Sequence, residues 1–391
     1  MKTDEIVIIE NESASAISSG LFGRSAAADA LRFHKSLPCY APTGMVSLPC
    51  FAQGHKLGGV YVKDEATRFG LKAFKALGGT YAMFRILCDR LGLDYKSADI
   101  TTFSRPGIRS ACRDIEFITA TDGNHGKGVS FASSLFGCRA HVLMPAGSSE
   151  LRRIAIEEAG SADAIITGFN YDQTVQLAAE LAGKNGYILI QDTAWPGYEE
   201  IPAYIISGYL TLAAEAVSQL GEIKPTHIFL QAGVGAMAGG IAEYMAEVYG
   251  PDVTIASFEP ETAACVYESV RVGDGLPHSL PGSPETIMAG LNCGTPCSIT
   301  WPVLKDRFSF YAACSDAVAA EGMRLYAHPA GSDRAIISGE SGAVTLGALN
   351  RIAGNPEMRK LLGLDEASVI LLINTEGDTD PESYKRILEA I

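Results

Sequence analysis

Lys75 stands in the run Arg68-Phe69-Gly70-Leu71-Lys72-Ala73-Phe74-Lys75-Ala76-Leu77-Gly78-Gly79, just ahead of an amphipathic stretch from Thr80 to Arg90. A lysine at a helix start meets the positive end of the helix dipole, which disfavours its own charge. A neutral lysine is a nucleophile, and its natural electrophile is an aldehyde such as pyridoxal phosphate. A surface lysine that merely opens a helix is the competing reading. Distant segments shift the balance towards a cofactor site.

The run Thr119-Ala120-Thr121-Asp122-Gly123-Asn124-His125-Gly126-Lys127-Gly128 follows a strand pattern and opens a helix. Such a turn aims backbone N–H groups and the positive helix end at an anion, a carboxylate or a phosphate. An ordinary strand–helix turn with Asp122 as its cap would read the same way. The run Gln231-Ala232-Gly233-Val234-Gly235-Ala236-Met237-Ala238-Gly239-Gly240 is again strand, then glycine-rich turn, then helix. It lacks both the full dinucleotide fingerprint and the P-loop Lys-Ser/Thr, so it favours a single phosphate. A last segment, Ile373-Asn374-Thr375-Glu376-Gly377-Asp378-Thr379-Asp380, ends a strand with amide and hydroxyl groups. Asn374 or Thr375 could meet a pyridine nitrogen. A neutral partner there leaves the nitrogen unprotonated and tunes the ring towards elimination at Cβ rather than transamination. A plain acidic loop remains the alternative.

Positioning these groups takes a fold in which strands alternate with helices. Apolar strand-like runs at 59–63, 116–120, 140–144, 162–167, 187–191, 227–231, 254–258, 308–312 and 368–374 alternate with helical patterns such as 74–91, 126–136, 201–220, 238–249 and 341–352. The pattern predicts an α/β fold of two open parallel-type sheet domains with helices on both faces and the cofactor in the crevice between them. The expected division is a large cofactor-binding domain, 1–79 with 187–391, and a small substrate-loop domain, 80–186. Residues 94–114 read as a polar surface excursion and residues 273–284 as a Gly/Pro-rich loop.

The chain has 391 residues, 47% hydrophobic and 19% charged, an ordinary globular mix with ample core. Its net charge of −14 excludes a basic nucleic-acid-binding surface. Nine cysteines without a CxxC spacing read as reduced thiols of a cytoplasmic protein, and no metal-ligand cluster is expected. If any pair is bridged, it is Cys265 with Cys293, which bracket the Gly/Pro-rich loop. The first ten residues lack a secretory pattern, and no apolar run is expected to span a bilayer.

Together the Phe-Lys-Ala-Leu-Gly-Gly, Gly-Asn-His-Gly and Gly-Val-Gly-Ala motifs, in this order, resemble the tryptophan-synthase-β type (fold type II) of pyridoxal-phosphate enzymes over nearly the whole chain. Within that group Tyr40-Ala41-Pro42-Thr43, Lys63-Asp64-Glu65, Thr121 to Gly126, Asp192-Thr193-Ala194-Trp195-Pro196-Gly197-Tyr198, Ile287 to Leu291 and Thr375 to Asp380 resemble the diaminopropionate ammonia-lyases. The resemblance implies that Lys75 bonds the cofactor aldehyde and that Asn124 bonds its phenolic oxygen. The backbone of Gly233, Val234, Gly235, Ala236 and Met237 would bind the phosphate. Asn374 or Thr375 would face the ring nitrogen, and Thr121, Asp122, Gly123, Asn124 and His125 would hold the substrate carboxylate. It also implies a homodimer, a small amino-acid substrate, and no membrane or nucleic-acid partner.

Asp122 departs from the small neutral residue that related dehydratases carry. A carboxylate beside a carboxylate-binding loop is costly unless it serves a cation or a proton transfer. Asp122 is therefore expected to take the Cα proton on the face opposite Lys75, and Asp192 to hold a β-ammonium. A strand-end cap is the alternative for Asp192. Lys72 stands where relatives commonly carry asparagine and is read as a cationic neighbour of Lys75. The sequence thus points to elimination of ammonia from 2,3-diaminopropionate, of either hand, to give pyruvate. A serine/threonine dehydratase of the same fold is the rival. Glu340-Ser341-Gly342-Ala343 is given a supporting place near the ring, and His55, His278 and His328 are taken as structural.

Overall fold

The computed structural model describes residues 5–12, 14, 20–121, 123–282 and 285–390. Eleven strands occur among them: β1 Ile6–Glu10, β2 Gly44–Ser47, β3 Gly59–Asp64, β4 Glu116–Ala120, β5 Arg139–Met144, β6 Ala162–Ile166, β7 Ile188–Leu189, β8 His227–Gln231, β9 Thr254–Pro260, β10 Phe310–Cys314 and β11 Val369–Asn374. The chain forms two compact units, one of Met1–Arg24, Pro42–Thr67 and Leu212–Ile391, the other of Ser25–Ala41 and Arg68–Thr211.

In the first unit seven strands form one sheet in the order β1-β10-β9-β8-β11-β3-β2. Its centre is parallel. Strand β8 is buried at all five positions, the signature of a strand covered on both faces. The edges differ from the expected all-parallel pattern, since β1 runs antiparallel to β10 and β2 antiparallel to β3. Helices Asp316–Ala327 and Glu340–Gly354 pack on this sheet through Val318, Met323, Val344 and Leu349, within one continuous apolar core.

The second unit holds a parallel four-stranded sheet, β6-β5-β4-β7. Its boundaries depart from 79/80 and 186/187 for two reasons. Strand β7 pairs with β4 through Phe117–Ile188 and Ile118–Leu189, which carries the sheet past residue 186. Helix Lys75–Leu91 packs on helix Asn124–Phe136, which draws residues 68–79 into this unit. The two helices approach through glycines. A Cβ on Gly128 would lie 2.9 Å from Ala76 Cα, and one on Gly79 would lie 3.1 Å from the Gly128 carbonyl carbon. The glycines after Lys75 therefore serve close helix packing. Residues 94–114 are not a purely polar excursion. A helical turn at Ile100–Ser104 and a helix at Pro106–Cys112 bury Ile100, Phe103 and Cys112. Helix Glu200–Leu220 is long and apolar enough to cross a bilayer by length and composition, contrary to the expectation of none, but Ile205, Tyr209, Leu210, Ala213 and Ala216 are buried, as in a core helix.

Candidate active site

Lys75 is the first residue of helix Lys75–Leu91, with Phe74 as the capping residue. The approach to it is a left-handed turn, with φ of 50° at Phe69, 74° at Gly70 and 60° at Lys72. Side-chain-bearing residues seldom adopt this region, so the turn is held against a local preference. Lys72 thus lies before the helix and does not share a helical face with Lys75. Asparagine would tolerate this left-handed backbone better than lysine does.

The Lys75 ammonium donates to Asp192 Oδ2 in an ion pair whose side chains are 22% and 13% exposed. Asp192 follows β7, and its place is set by Gln191. The Gln191 side chain accepts from Ala120 N at 3.1 Å and donates to Ala120 O at 2.9 Å, stitching the ends of β4 and β7 together. The Tyr198 hydroxyl accepts from Gln191 N at 2.8 Å and donates to Leu189 O at 3.0 Å, which folds the Trp195–Tyr198 turn back on the strand. Asp192 thus stands on a braced strand end and faces a cation.

His125 completes this cluster. Its ring is buried, with Nε2 2.8 Å from the Ile190 carbonyl oxygen. That carbonyl can only accept, so the proton of the neutral ring sits on Nε2. Nδ1 lies 3.8 Å from Asp192 Oδ2 and is a buried atom without a hydrogen-bond partner among the described residues. Burial pushes the Asp192 carboxyl up, but the Lys75 ammonium outweighs it and holds the group well below the usual carboxylate range. Burial lowers the His125 imidazole, Asp192 pulls it back up, and the Lys75 ammonium pushes it down again. The cluster is an anion matched to one cation beside a neutral imidazole. The Nε2 side of the His125 ring is engaged by Ile190 O, and its Nδ1 side faces Asp192.

Thr121 extends β4 by donating to Leu143 O at 2.9 Å, and its hydroxyl accepts from Gly123 N at 3.1 Å. Asn124 opens helix Asn124–Phe136, whose first internal bond runs from Lys127 N to Gly123 O. The N–H groups ahead of that bond form an anion-binding helix end. A Cβ on Gly126 would lie 2.6 Å from Thr121 Cγ2, so glycine lets the turn close on itself. Asp122 lies outside the described residues.

In the first unit β8 leads into Gly233-Val234-Gly235 and helix Ala236–Tyr249. Gly235 takes φ of 81°. The first internal bond of the helix runs from Gly239 N to Gly235 O, which leaves the N–H groups before it for an external anion. The loop is braced beneath, because Val234 O accepts from Cys297 N at 2.8 Å and a Cβ on Gly233 would lie 3.1 Å from Leu291 Cα. Cys265 and Cys293 are not bridged to each other, and Cys265 Sγ donates to Gly233 O at 3.4 Å.

Asn374 and Thr375 follow one another at the end of β11 but are differently engaged. The Asn374 amide donates to Asp64 Oδ1 at 2.8 Å and Ile337 O at 3.1 Å, and its oxygen accepts from Ser338 Oγ at 2.7 Å. Thr375 Oγ1 accepts from Gln231 Nε2 at 3.0 Å. Its own hydrogen has no acceptor among the described residues. Glu340 and Ser341 open helix Glu340–Gly354, where Ser341 Oγ accepts from Gly290 N at 3.2 Å. His278 pairs with Asp274, and His55 packs on Phe51. Among the described residues no group of three or more metal-ligating side chains gathers. A lysine nucleophile, a glycine cradle at a helix end and an unspent buried hydroxyl are the groups that a phosphorylated pyridine aldehyde requires.

Comparison with known proteins gives the same reading. The model of the family described as pyridoxal-phosphate dependent enzyme matches residues 37–376. The diaminopropionate ammonia-lyase of Salmonella typhimurium is 45% identical over 368 residues, 92% of this chain and 91% of that protein. The crystal structure of holo diaminopropionate ammonia lyase from Escherichia coli superposes with a TM-score of 0.93 at 41% identity, covering 98% of this chain and 97% of that one. The same enzyme in complex with an aminoacrylate-PLP azomethine reaction intermediate superposes with a TM-score of 0.91 over the same shares.

Proposed function

We propose that this chain, which belongs to the pyridoxal-phosphate-dependent enzymes and within them to the diaminopropionate ammonia-lyases, converts 2,3-diaminopropionate and water to pyruvate and two molecules of ammonia. The observation that carries this reading is the ion pair of Lys75 with Asp192. Asp192 holds the ammonium of the lysine itself, and once that nitrogen is bonded to the cofactor the same carboxylate is left for the second ammonium that a diamine substrate brings.

Bound pyridoxal phosphate supplies an electron sink for the pair left at Cα. Lys75 bonds its aldehyde carbon, and Asn124 bonds its phenolic oxygen. The backbone N–H groups of Gly233, Val234, Gly235, Ala236 and Met237 hold its phosphate. Thr375, rather than the fully engaged Asn374, donates to its ring nitrogen. The turn from Thr121 to His125 holds the substrate carboxylate and so fixes the direction of the Cα–H bond. Lys75 takes the Cα proton of one enantiomer, and Asp122 takes that of the other. Asp192 keeps the β-nitrogen protonated, so that it departs as neutral ammonia. The enamine released then hydrolyses in water.

The nine unbridged cysteines support a reducing cytoplasmic setting. Exposed Val272 and Leu276 support burial against a second copy of the chain, hence a homodimer. Pyruvate release measured side by side for L- and D-2,3-diaminopropionate, L-serine, D-serine and L-threonine tests the substrate. A clear preference in kcat/KM for the diamine supports the reading. Preference for a hydroxy amino acid would replace it with a dehydratase.

A further inference from the structure

We infer that Gln231 is a positioning residue for the cofactor ring, because its amide turns the Thr375 hydroxyl into a hydrogen-bond donor. The inference rests on the assignment of Thr375 to the ring nitrogen made above, and deepens it.

Gln231 is the last residue of β8, beside β11, and is buried. Its Nε2 donates to Ile373 O at 2.9 Å and to Thr375 Oγ1 at 3.0 Å. The orientation of the amide follows from the first bond, since a carbonyl only accepts and a flipped amide would set oxygen against oxygen. Both hydrogens of Nε2 are then committed. Thr375 receives one of them and has no acceptor in Gln231 for its own hydrogen.

A hydroxyl that accepts a hydrogen bond becomes a better donor and a poorer second acceptor. A pyridine nitrogen facing it is therefore favoured with its lone pair free over its protonated form. The acceptor on the neighbouring residue is already engaged, because Asn374 Oδ1 accepts from Ser338 Oγ at 2.7 Å. An unprotonated ring withdraws electrons less strongly, which favours departure of a β-substituent over a long-lived carbanion. Gln231 thus acts on the outcome of the reaction through Thr375.

A second observation separates this role from simple packing. Gln231 Oε1 is buried without a hydrogen-bond partner among the described residues. An unpaired buried acceptor weakens a fold, and an apolar side chain of the same length would avoid it. The Gln231 amide thus carries a cost at Oε1 beside the two bonds that its Nε2 makes to Ile373 O and Thr375 Oγ1.

The test loads the protein with pyridoxal phosphate labelled with 15N in the ring and reads the nitrogen chemical shift for wild type, Gln231→Met, Thr375→Ser and Thr375→Val. Gln231→Met is expected to raise the ratio of protonated to unprotonated nitrogen roughly fivefold, the worth of one hydrogen bond. Thr375→Ser keeps the wild-type shift, and Thr375→Val moves it at least as far as Gln231→Met does. If Thr375→Val moves the shift and Gln231→Met leaves it alone, the role of Gln231 is overturned while Thr375 keeps its place. If neither moves it, the assignment of Thr375 itself falls. Should Gln231→Met not fold, Gln231→Asn, too short to span both acceptors, carries the same comparison.

Discussion

Replacing Asp192 with asparagine isolates what its negative charge does. In the wild type the carboxylate, 13% exposed, holds the Lys75 ammonium with His125 Nδ1 3.8 Å away. Asparagine keeps the shape and one acceptor but removes the charge. A hydrogen bond to a charged group contributes about 1.5–3 kcal/mol, and two unit charges 4 Å apart at an effective dielectric of 20 attract by about 4 kcal/mol. Since asparagine still accepts one bond, the lower range applies. It corresponds to roughly ten- to hundredfold in affinity for an ammonium. L-serine carries no charge on its β-substituent, so it lacks this interaction. Any change in how Lys75 is held falls on both substrates. Steady-state kinetics with both therefore separates the two effects. The ratio of kcat/KM for L-2,3-diaminopropionate to that for L-serine should drop about ten- to hundredfold in Asp192→Asn. An equal fall for both substrates would refute the ammonium-holding role and leave Asp192 as a partner of Lys75 alone.

Other expectations rest on separate features. Gly128→Ala sets a methyl group 2.9 Å from Ala76 Cα, a backbone atom that cannot swing aside; it should cost about 1–3 kcal/mol in denaturant unfolding, and a neutral result would mean that the two helices can slide apart. Lys72→Asn relieves a left-handed residue with φ of 60°; it should stabilise by up to about 1 kcal/mol, and an equal loss would show that contacts of the lysine side chain outweigh the backbone. His125 has a folded pKa depressed by burial, so the unfolded chain binds its proton first, near pH 6.5. The stability it contributes is complete above that pH and declines as pH falls below it. His125→Asn should flatten the decline, though not abolish it, because burial also lowers His227. Glu259 has the opposite sign. Burial pushes it up to about 8, against the pull of the N–H groups of Val266 and Tyr267. Its contribution is present at low pH and lost as pH rises towards 8. Thermal unfolding of Glu259→Gln should therefore vary less between pH 5 and 8 than that of the wild type, and parallel profiles would contradict the shift.

The site was legible in the sequence wherever chemistry imposes a local pattern. The turns at 120–124 and 231–236 carry glycines because backbone must approach closely, and each sits between a strand and a helix as expected. Lys75 begins its helix, one residue inside the expected start at 74. What the sequence hid depends on partners far along the chain. Strand β1 is recognisable only through its pairing with Phe310–Cys314, some three hundred residues away, and β2 is four residues long. The glycines of Gly78-Gly79 were legible as part of a motif, but their contacts with Tyr209 and Gly128 were not. His125 stands in the motif expected to face substrate, and the bond of its Nε2 to the Ile190 carbonyl, set by the neighbouring strand, was not legible there. Gln231 has no motif of its own. A polar residue ending an otherwise apolar strand, His-Ile-Phe-Leu-Gln, was the one available signal, and only the register of β8 against β11 gives it meaning.

The central claim is elimination of both nitrogens of a diamine, and the ratio of ammonia to pyruvate tests it most directly. Purified protein loaded with pyridoxal phosphate would be given 2,3-diaminopropionate, and both products followed over the same time course. The account predicts two ammonia molecules for each pyruvate, in step throughout. Ammonia without matching pyruvate, or no release of either from the loaded protein, would contradict it.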